Sequence, residues 1–359
     1  MKVAIMSFPG SPSHGASLQM YALYKTIQRM GHDPVILNYM PDKLYQQYQG
    51  VGKKTVKSVI TNNISRMLIP SSAKAFREFE RNLKKIPEEV LTDPTKLAAV
   101  TADCDRIIVG SDQVWNMDIT YHDYSFFLDF CRDKSKKVAY APSFGNDTVY
   151  ENEREKIAKL LSEFSFLSAR EKKGCEVISE LTGMEAPMVC DPTFLVRKEE
   201  WEKIAEKPDY HSPYVLYYTV KPSPELYQKA LQFAKEHHLK LIKIGGRLRD
   251  YFDPEKPAAF GVGPSEFLGL IGDAEYVFTN SFHGTALSII LQKNFYVEYS
   301  SNTNVRLINL IETAHLRECV VNKTDADVKN AVEINYNEVA RLLQPLITES
   351  MNYIERFLE

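Results

Sequence analysis

Residues 279–290, TNSFHGTALSII, set an imidazole between hydroxyl residues and a glycine. The apolar run AEYVF precedes them and ALSIILQ follows, so the pattern is strand, tight turn and helix start, with His283 at the joint. Helix N-termini carry unpaired N–H groups and a partial positive charge. Ser281, Gly284 and Thr285 can therefore hold a phosphate or a carboxylate. An imidazole titrates near neutrality and can act there as acid or base. The alternative is a histidine that only closes a turn.

Other short stretches carry candidate chemistry. In GSDQVWN, residues 110–116, Asp112 follows the strand-like run DRIIV. A carboxylate there can accept a proton from a sugar hydroxyl, and Trp115 can stack on a pyranose face; Gly, Ser and Asp are equally the residues of a plain turn. In SAREKKG, residues 168–174, Arg170 can clamp an anion with two parallel hydrogen bonds, or form a surface ion pair with Glu171 or Glu163. Asp191 in CDPTF reads as an ordinary Asp-Pro turn. In GGRLRD, residues 245–250, two glycines permit close backbone approach, and Arg247 or Arg249 can reach an anion. No Walker A or GxGxxG sequence accompanies it. The first strand-to-helix turn, SPSHGASLQ, offers His14, Gly15 and Ser17 to a ligand. His237 and His238 end a helix and read as a C-terminal cap.

These residues need a scaffold that brings strand ends together. KVAIMSF, an amphipathic run ending at Gly31, and DPVILNY read as strand, helix and strand. Residues 42–90 are polar with a helical pattern; SSAKAFREFERNLKKI reads as a surface helix. DRIIVGSD, KKVAYAPSFG and FLSARE continue as strands, with helices at ENEREKIAKLLSEFSFL and from Lys172. The alternation restarts at YVLYYTV and runs through KLIKIGG, EYVFTN and NFYVEYS. The expected fold is α/β, two Rossmann-like domains facing across a cleft. An N-terminal domain over 1–205 would be the acceptor side and a C-terminal domain over 206–335 the donor or anion side. A helical segment over 336–359 would pack back on the first, with Pro345 bending or dividing it. Ligands in such folds sit at the carboxyl ends of the strands.

Composition narrows the partners. The 359 residues carry 44% hydrophobic and 25% charged residues and a net charge of −3, as expected of a soluble protein without an overall basic field for nucleic acid. Five cysteines lie far apart with no CxxC pair, which suits free thiols in a reducing, cytoplasmic setting and no metal site. The N-terminus MKVAIMSF does not read as a signal peptide, and no apolar run is long enough to span a membrane.

Taken in order, HGASLQMYALYKTIQRMGH, VGSDQVWN, AYAPSFG, SAREKKG, CDPTFL and FTNSFHGTALSIILQKNF resemble the polysaccharide pyruvyl transferase family, in its bacterial branch associated with exopolysaccharide and capsule clusters. The resemblance runs from the first strand to about residue 312. It implies a GT-B-like fold and transfer of a pyruvyl group from phosphoenolpyruvate to two hydroxyls of a sugar, giving a cyclic ketal without a cofactor. The family's arginine falls on Arg170 and its histidine on His283. Where many members have an arginine two positions before that histidine, this chain has Ser281, and where some carry a lysine it has SSNTNVR, ending in Arg306. Arg170, Arg247, Arg306 and the helix start would then hold the donor. His283 would supply the acid or a donor to the phosphate, and Asp112 the base. Asp112, Trp115 and the turn from His14 to Ser17 would receive the acceptor. A lipid-linked acceptor would bring the enzyme to the inner membrane face as a peripheral contact. The competing readings are a GT-B-like glycosyltransferase using a nucleotide sugar and a non-catalytic glycan- or anion-binding homologue.

Overall fold

The computed structural model describes residues 1–48, 74–145, 148–210, 212–244, 258–259, 261–299, 305–322, 328 and 331–359. The chain folds as two compact units. Among the described residues, the first comprises 1–48, 80–145, 148–196 and Pro345–Glu359, and the second takes 74–79 and most of 197–344.

In the first unit, β1 (Lys2–Met6), β2 (Asp33–Tyr39), β3 (Lys85–Leu91), β4 (Arg106–Val109) and β5 (Lys137–Ala139) form one parallel sheet in the order β3-β2-β1-β4-β5. The central strands are apolar on both faces, as a parallel sheet covered on both sides requires. Alternate residues divide between two cores. Ala4, Met6, Leu37, Ile107 and Val109 enter one, while Val3, Ile5, Ile36 and Ile108 enter the other. The second core is closed by Met20, Leu23 and Ile27 of the helix His14–Arg29 and by Tyr353, Ile354 and Phe357 near the C-terminus.

The run KIPEEVL, expected within a polar helical stretch, is the strand β3. It lies at the sheet edge and, among the described residues, pairs only with β2. Edge strands tolerate charges and a proline that a central strand would not, so polarity hid it. A helix does precede it, over 74–80. FLSARE contributes bridges rather than a full strand, Phe166 to Val138 and Ala169 to Met188. Pro345 lies inside a helix that runs from Tyr336 to Leu358 without division.

In the second unit, β6 (Tyr214–Tyr218), β7 (Lys240–Ile244), β8 (Ala258–Ala259), β9 (Tyr276–Thr279) and β10 (Asn294–Val297) are again all parallel, in the order β10-β9-β6-β7-β8. Counted from its own first strand, each sheet runs third, second, first, fourth, fifth, the doubly wound Rossmann order. The strand order therefore reverses between β1 and β4 in one unit and between β6 and β9 in the other. Those two places are where side chains at strand ends can converge on a ligand.

Candidate active site

At the first reversal, Ser7 follows β1 and the segment Gly110–Ser111–Asp112 follows β4. The chain turns sharply at Gly110, whose φ of 122° brings its Cα against the Tyr140 carbonyl; a Cβ would lie 2.0 Å from that oxygen. Only glycine fits there. Gln19 of the helix His14–Arg29 joins the two strand ends: its Nε2 donates to Ser7 Oγ at 2.8 Å, and its Oε1 accepts from Ser111 N–H at 3.1 Å. Asp112, at φ 78°, bridges to Pro142, and its carbonyl accepts from Ser143 N–H at 2.9 Å.

Arg170 is not at the surface. Its Nη1 donates to Asp191 Oδ2 at 2.5 Å and its Nη2 to Asp112 Oδ1 at 3.3 Å. The side-chain exposures are 1% for Arg170, 0% for Asp191 and 16% for Asp112, so Asp112 is the member that reaches solvent. Burial pulls the Arg170 pKa down, and the carboxylates of Asp191, Asp112 and Glu171 outweigh that, leaving it raised. The expected surface pair with Glu163 does not form; Glu163 bonds Lys134 at 2.8 Å. The expected clamp on a donor anion also needs correction, because a guanidinium this deeply buried is already committed to two carboxylates.

Asp191 is the site residue that sequence reasoning set aside as turn chemistry. Its Oδ1 does cap the turn, accepting from Thr193 N–H at 3.1 Å and Thr193 Oγ1 at 2.8 Å. Its Oδ2 does the other task, holding Arg170. The signal available was the pairing of an Asp-Pro-Thr turn with an arginine elsewhere in the chain, and nothing in one sequence links them.

At the second reversal, Asn280 joins the ends of β6 and β9: its Oδ1 accepts from Val220 N–H at 3.0 Å and its Nδ2 donates to the Lys221 carbonyl at 2.7 Å. The helix Phe282–Ile290 starts immediately beyond, with Ser281 as its N-cap. Ser281 Oγ accepts from Gly284 N–H at 3.2 Å, and the Ser281 carbonyl takes the Thr285 N–H and hydroxyl, both at 3.0 Å. The amides of Gly284 and Thr285 are thus engaged by the cap, which corrects their expected use on an anion. Gly284 serves close packing instead: a Cβ there would stand 2.6 Å from Thr279 Oγ1 and 3.2 Å from the Tyr218 ring. Burial pushes the Tyr218 phenol up to about 12, with a hydrogen bond to Ser281 acting in the other direction. His283 lies in the first turn, 9% exposed, with its ring edge-on to Phe282 at 5.2 Å. Arg306, in the helix Val305–Thr313, has its guanidinium carbon 5.9 Å from the Phe282 ring centre. Ser281 and His283 therefore stand at one strand end, and Arg306 packs near the Phe282 that lies between them in sequence.

The remaining candidates are dispersed. Trp115 is 1% exposed, stacked on Phe127 at 5.4 Å, with its indole N–H on the Phe126 carbonyl at 2.9 Å. It has no face for a sugar and is a core residue. Gly15 and Ser17 lie on the buried side of the helix His14–Arg29, and Ser17 Oγ donates to Glu80 at 3.2 Å, which removes both from an acceptor surface. His14 is half-buried at the start of that helix. Arg247 and Arg249 lie outside the described residues. Among the described residues no group of three or more His, Cys, Asp or Glu is placed to hold a metal ion, and no helix is long and apolar enough to cross a membrane.

In fold, the chain is similar to the S. aureus MnaA–UDP structure, with 11% identity over 98% of this chain and 90% of that one and a TM-score of 0.50. It also aligns with UDP-GlcNAc 2-epimerase from Neisseria meningitidis bound to UDP-GlcNAc, at 11% identity, 99% and 94% coverage and a TM-score of 0.49. A third alignment is to the spinosyn rhamnosyltransferase SpnG, at 12% identity, 99% and 96% coverage and a TM-score of 0.43. The fold shared with the S. aureus structure is two Rossmann-like units in one chain, the GT-B-like organisation. No curated protein sequence matches the chain. The family model for polysaccharide pyruvyl transferase matches residues 14–302, a span that takes in Asp112, Arg170, Asp191 and His283. The chain belongs to the polysaccharide pyruvyl transferase family.

Proposed function

We propose that the chain transfers a pyruvyl group from phosphoenolpyruvate to two hydroxyls of a sugar, in a cell-surface polysaccharide or its lipid-linked precursor, forming a cyclic ketal. The observation that carries this reading is Asp112. It is a carboxylate at a strand-order reversal, anchored by a buried arginine and still 16% exposed, as a group that takes a proton from a bound hydroxyl must be. A first sugar oxygen attacks C2 of the donor while C3 is protonated, and phosphate then leaves. The second hydroxyl attacks C2 and gives up its proton. Asp112 is the base for the sugar hydroxyl. His283 serves the donor as acid or as hydrogen-bond donor to the departing phosphate, with Ser281 capping its helix and Arg306 as a further cation for the donor. Arg170 acts through Asp112. The test supplies phosphoenolpyruvate and candidate lipid-linked oligosaccharides and follows phosphate release together with the mass of the acceptor. A pyruvyl ketal adduct supports the reading, and turnover of a nucleotide sugar in its place would favour the glycosyltransferase alternative.

A further inference from the structure

The pair formed by Arg170 and Asp191 does more than anchor Asp112. Its geometry is uneven: the guanidinium meets Asp191 at 2.5 Å and Asp112 at 3.3 Å. An arginine given to Asp112 alone would stabilise its carboxylate strongly and make it a poor base. Here the closer and fully buried partner is Asp191, and the carboxylate of Glu171, also buried, adds to the negative side. Ser111 Oγ lies 3.4 Å from Asp191 Oδ2, tying the same carboxylate to the segment that carries Asp112. From the helix Asp42–Tyr48, the Tyr48 phenol also faces Asp112.

We propose that Asp191 is a positioning residue that acts through Arg170: by taking the nearer side of the guanidinium, it leaves Asp112 aimed outward and basic enough to take a proton from the sugar hydroxyl. The inference rests on Asp112 being the base of the proposed reaction. It makes the Asp-Pro-Thr turn part of the catalytic apparatus, and it gives the buried charge a task beyond stability. Buried pairs are weak evidence for stability in themselves.

Asp191→Asn tests it. The amide oxygen can still accept from Thr193, so the turn is retained, while the amide nitrogen in place of Oδ2 cannot accept from Arg170, so the charge and its hydrogen bond to the guanidinium are removed together. The acid limb of the kcat/KM profile is expected to move to lower pH by about one unit, with donor KM unchanged. Thr193→Val, which removes a turn hydrogen bond and leaves the charge, is expected to keep the native profile. A folded Asp191→Asn protein with the native profile would overturn the proposal, since a purely structural role predicts that result. A second readout needs no turnover: carbon-13 titration of aspartate-labelled protein, with the Asp112 resonance assigned through Asp112→Asn. Its midpoint is expected to fall by about one unit in Asp191→Asn, and an unmoved midpoint overturns the proposal. If Asp191→Asn does not fold, Asp191→Glu keeps the charge on a longer arm and is expected to hold the native midpoint; a shifted midpoint there counts against the idea. Absence of phosphate release by the native protein would sink the assigned reaction while the carbon-13 measurement still decides the role of Asp191.

Discussion

Arg170 Nη2 donates to Asp112 Oδ1 at 3.3 Å, joining two residues 58 positions apart in the chain. They meet because β4 ends at Val109 and the bridged segment around Ala169 runs alongside the next strand position. The parallel sheet thus delivers both to one carboxyl edge. The pairing changes what the arginine is expected to do when removed.

Arg170→Ala leaves Asp191 buried opposite no cation. Removing one partner of a buried pair costs about 3–5 kcal/mol. Urea unfolding of the variant is expected to show a loss in that range. A loss below about 1 kcal/mol, the value of an exposed pair, would mean that the guanidinium is not buried against its carboxylates in solution.

Asp112→Asn keeps a hydrogen-bonding group near Arg170 and removes the base. Turnover is expected to fall about 10²–10⁴-fold, with donor affinity measured by calorimetry close to native. Turnover within a few-fold of native would move the base to another residue.

Trp115→Ala acts as a core deletion. The indole packs against Phe127, Phe144 and Phe164, so stability is expected to drop by about 3–5 kcal/mol. The folded fraction should retain native acceptor KM. A selective rise in acceptor KM at unchanged stability would restore the sugar-stacking role expected from the sequence.

Ser281→Ala removes the cap of the helix that carries His283. The expected loss is about 0.5–2 kcal/mol, seen as a lower urea midpoint at constant slope. Phosphate-side function is expected to persist if His283 and Arg306 carry the donor, and a full loss of donor binding would give Ser281 the anion-contacting role directly.

The strands and main helices of both sheets were legible because apolar runs and helical spacing report burial, and the doubly wound class follows from their alternation. Strands β3 and β8 were not, since an edge position lifts the constraint that makes a strand apolar and β8 is only two residues long. The positions of His283, Asp112 and Arg170 at strand ends were legible. Their partners were not: the link from Arg170 to Asp191 and from Gln19 to Ser7 and Ser111 exists only once the sheet is assembled. Trp115 misled because an aromatic beside a turn has the same local sequence whether it faces a ligand or the core. The Ser281 cap misled in the other direction, since hydroxyls at a helix start suit an anion until the geometry shows them serving the helix itself.

Asp112 is the proposed base of a phosphoenolpyruvate-dependent ketal transfer. The most direct measurement follows inorganic phosphate and acceptor mass in one reaction, for native protein and for Asp112→Asn, with phosphoenolpyruvate and a lipid-linked oligosaccharide. Native protein is expected to release one phosphate for each pyruvyl ketal formed, and Asp112→Asn, folded and donor-binding, to slow both by about 10²–10⁴-fold together. Ketal formation by Asp112→Asn at the native rate, or phosphate release uncoupled from any change in the acceptor, would contradict it.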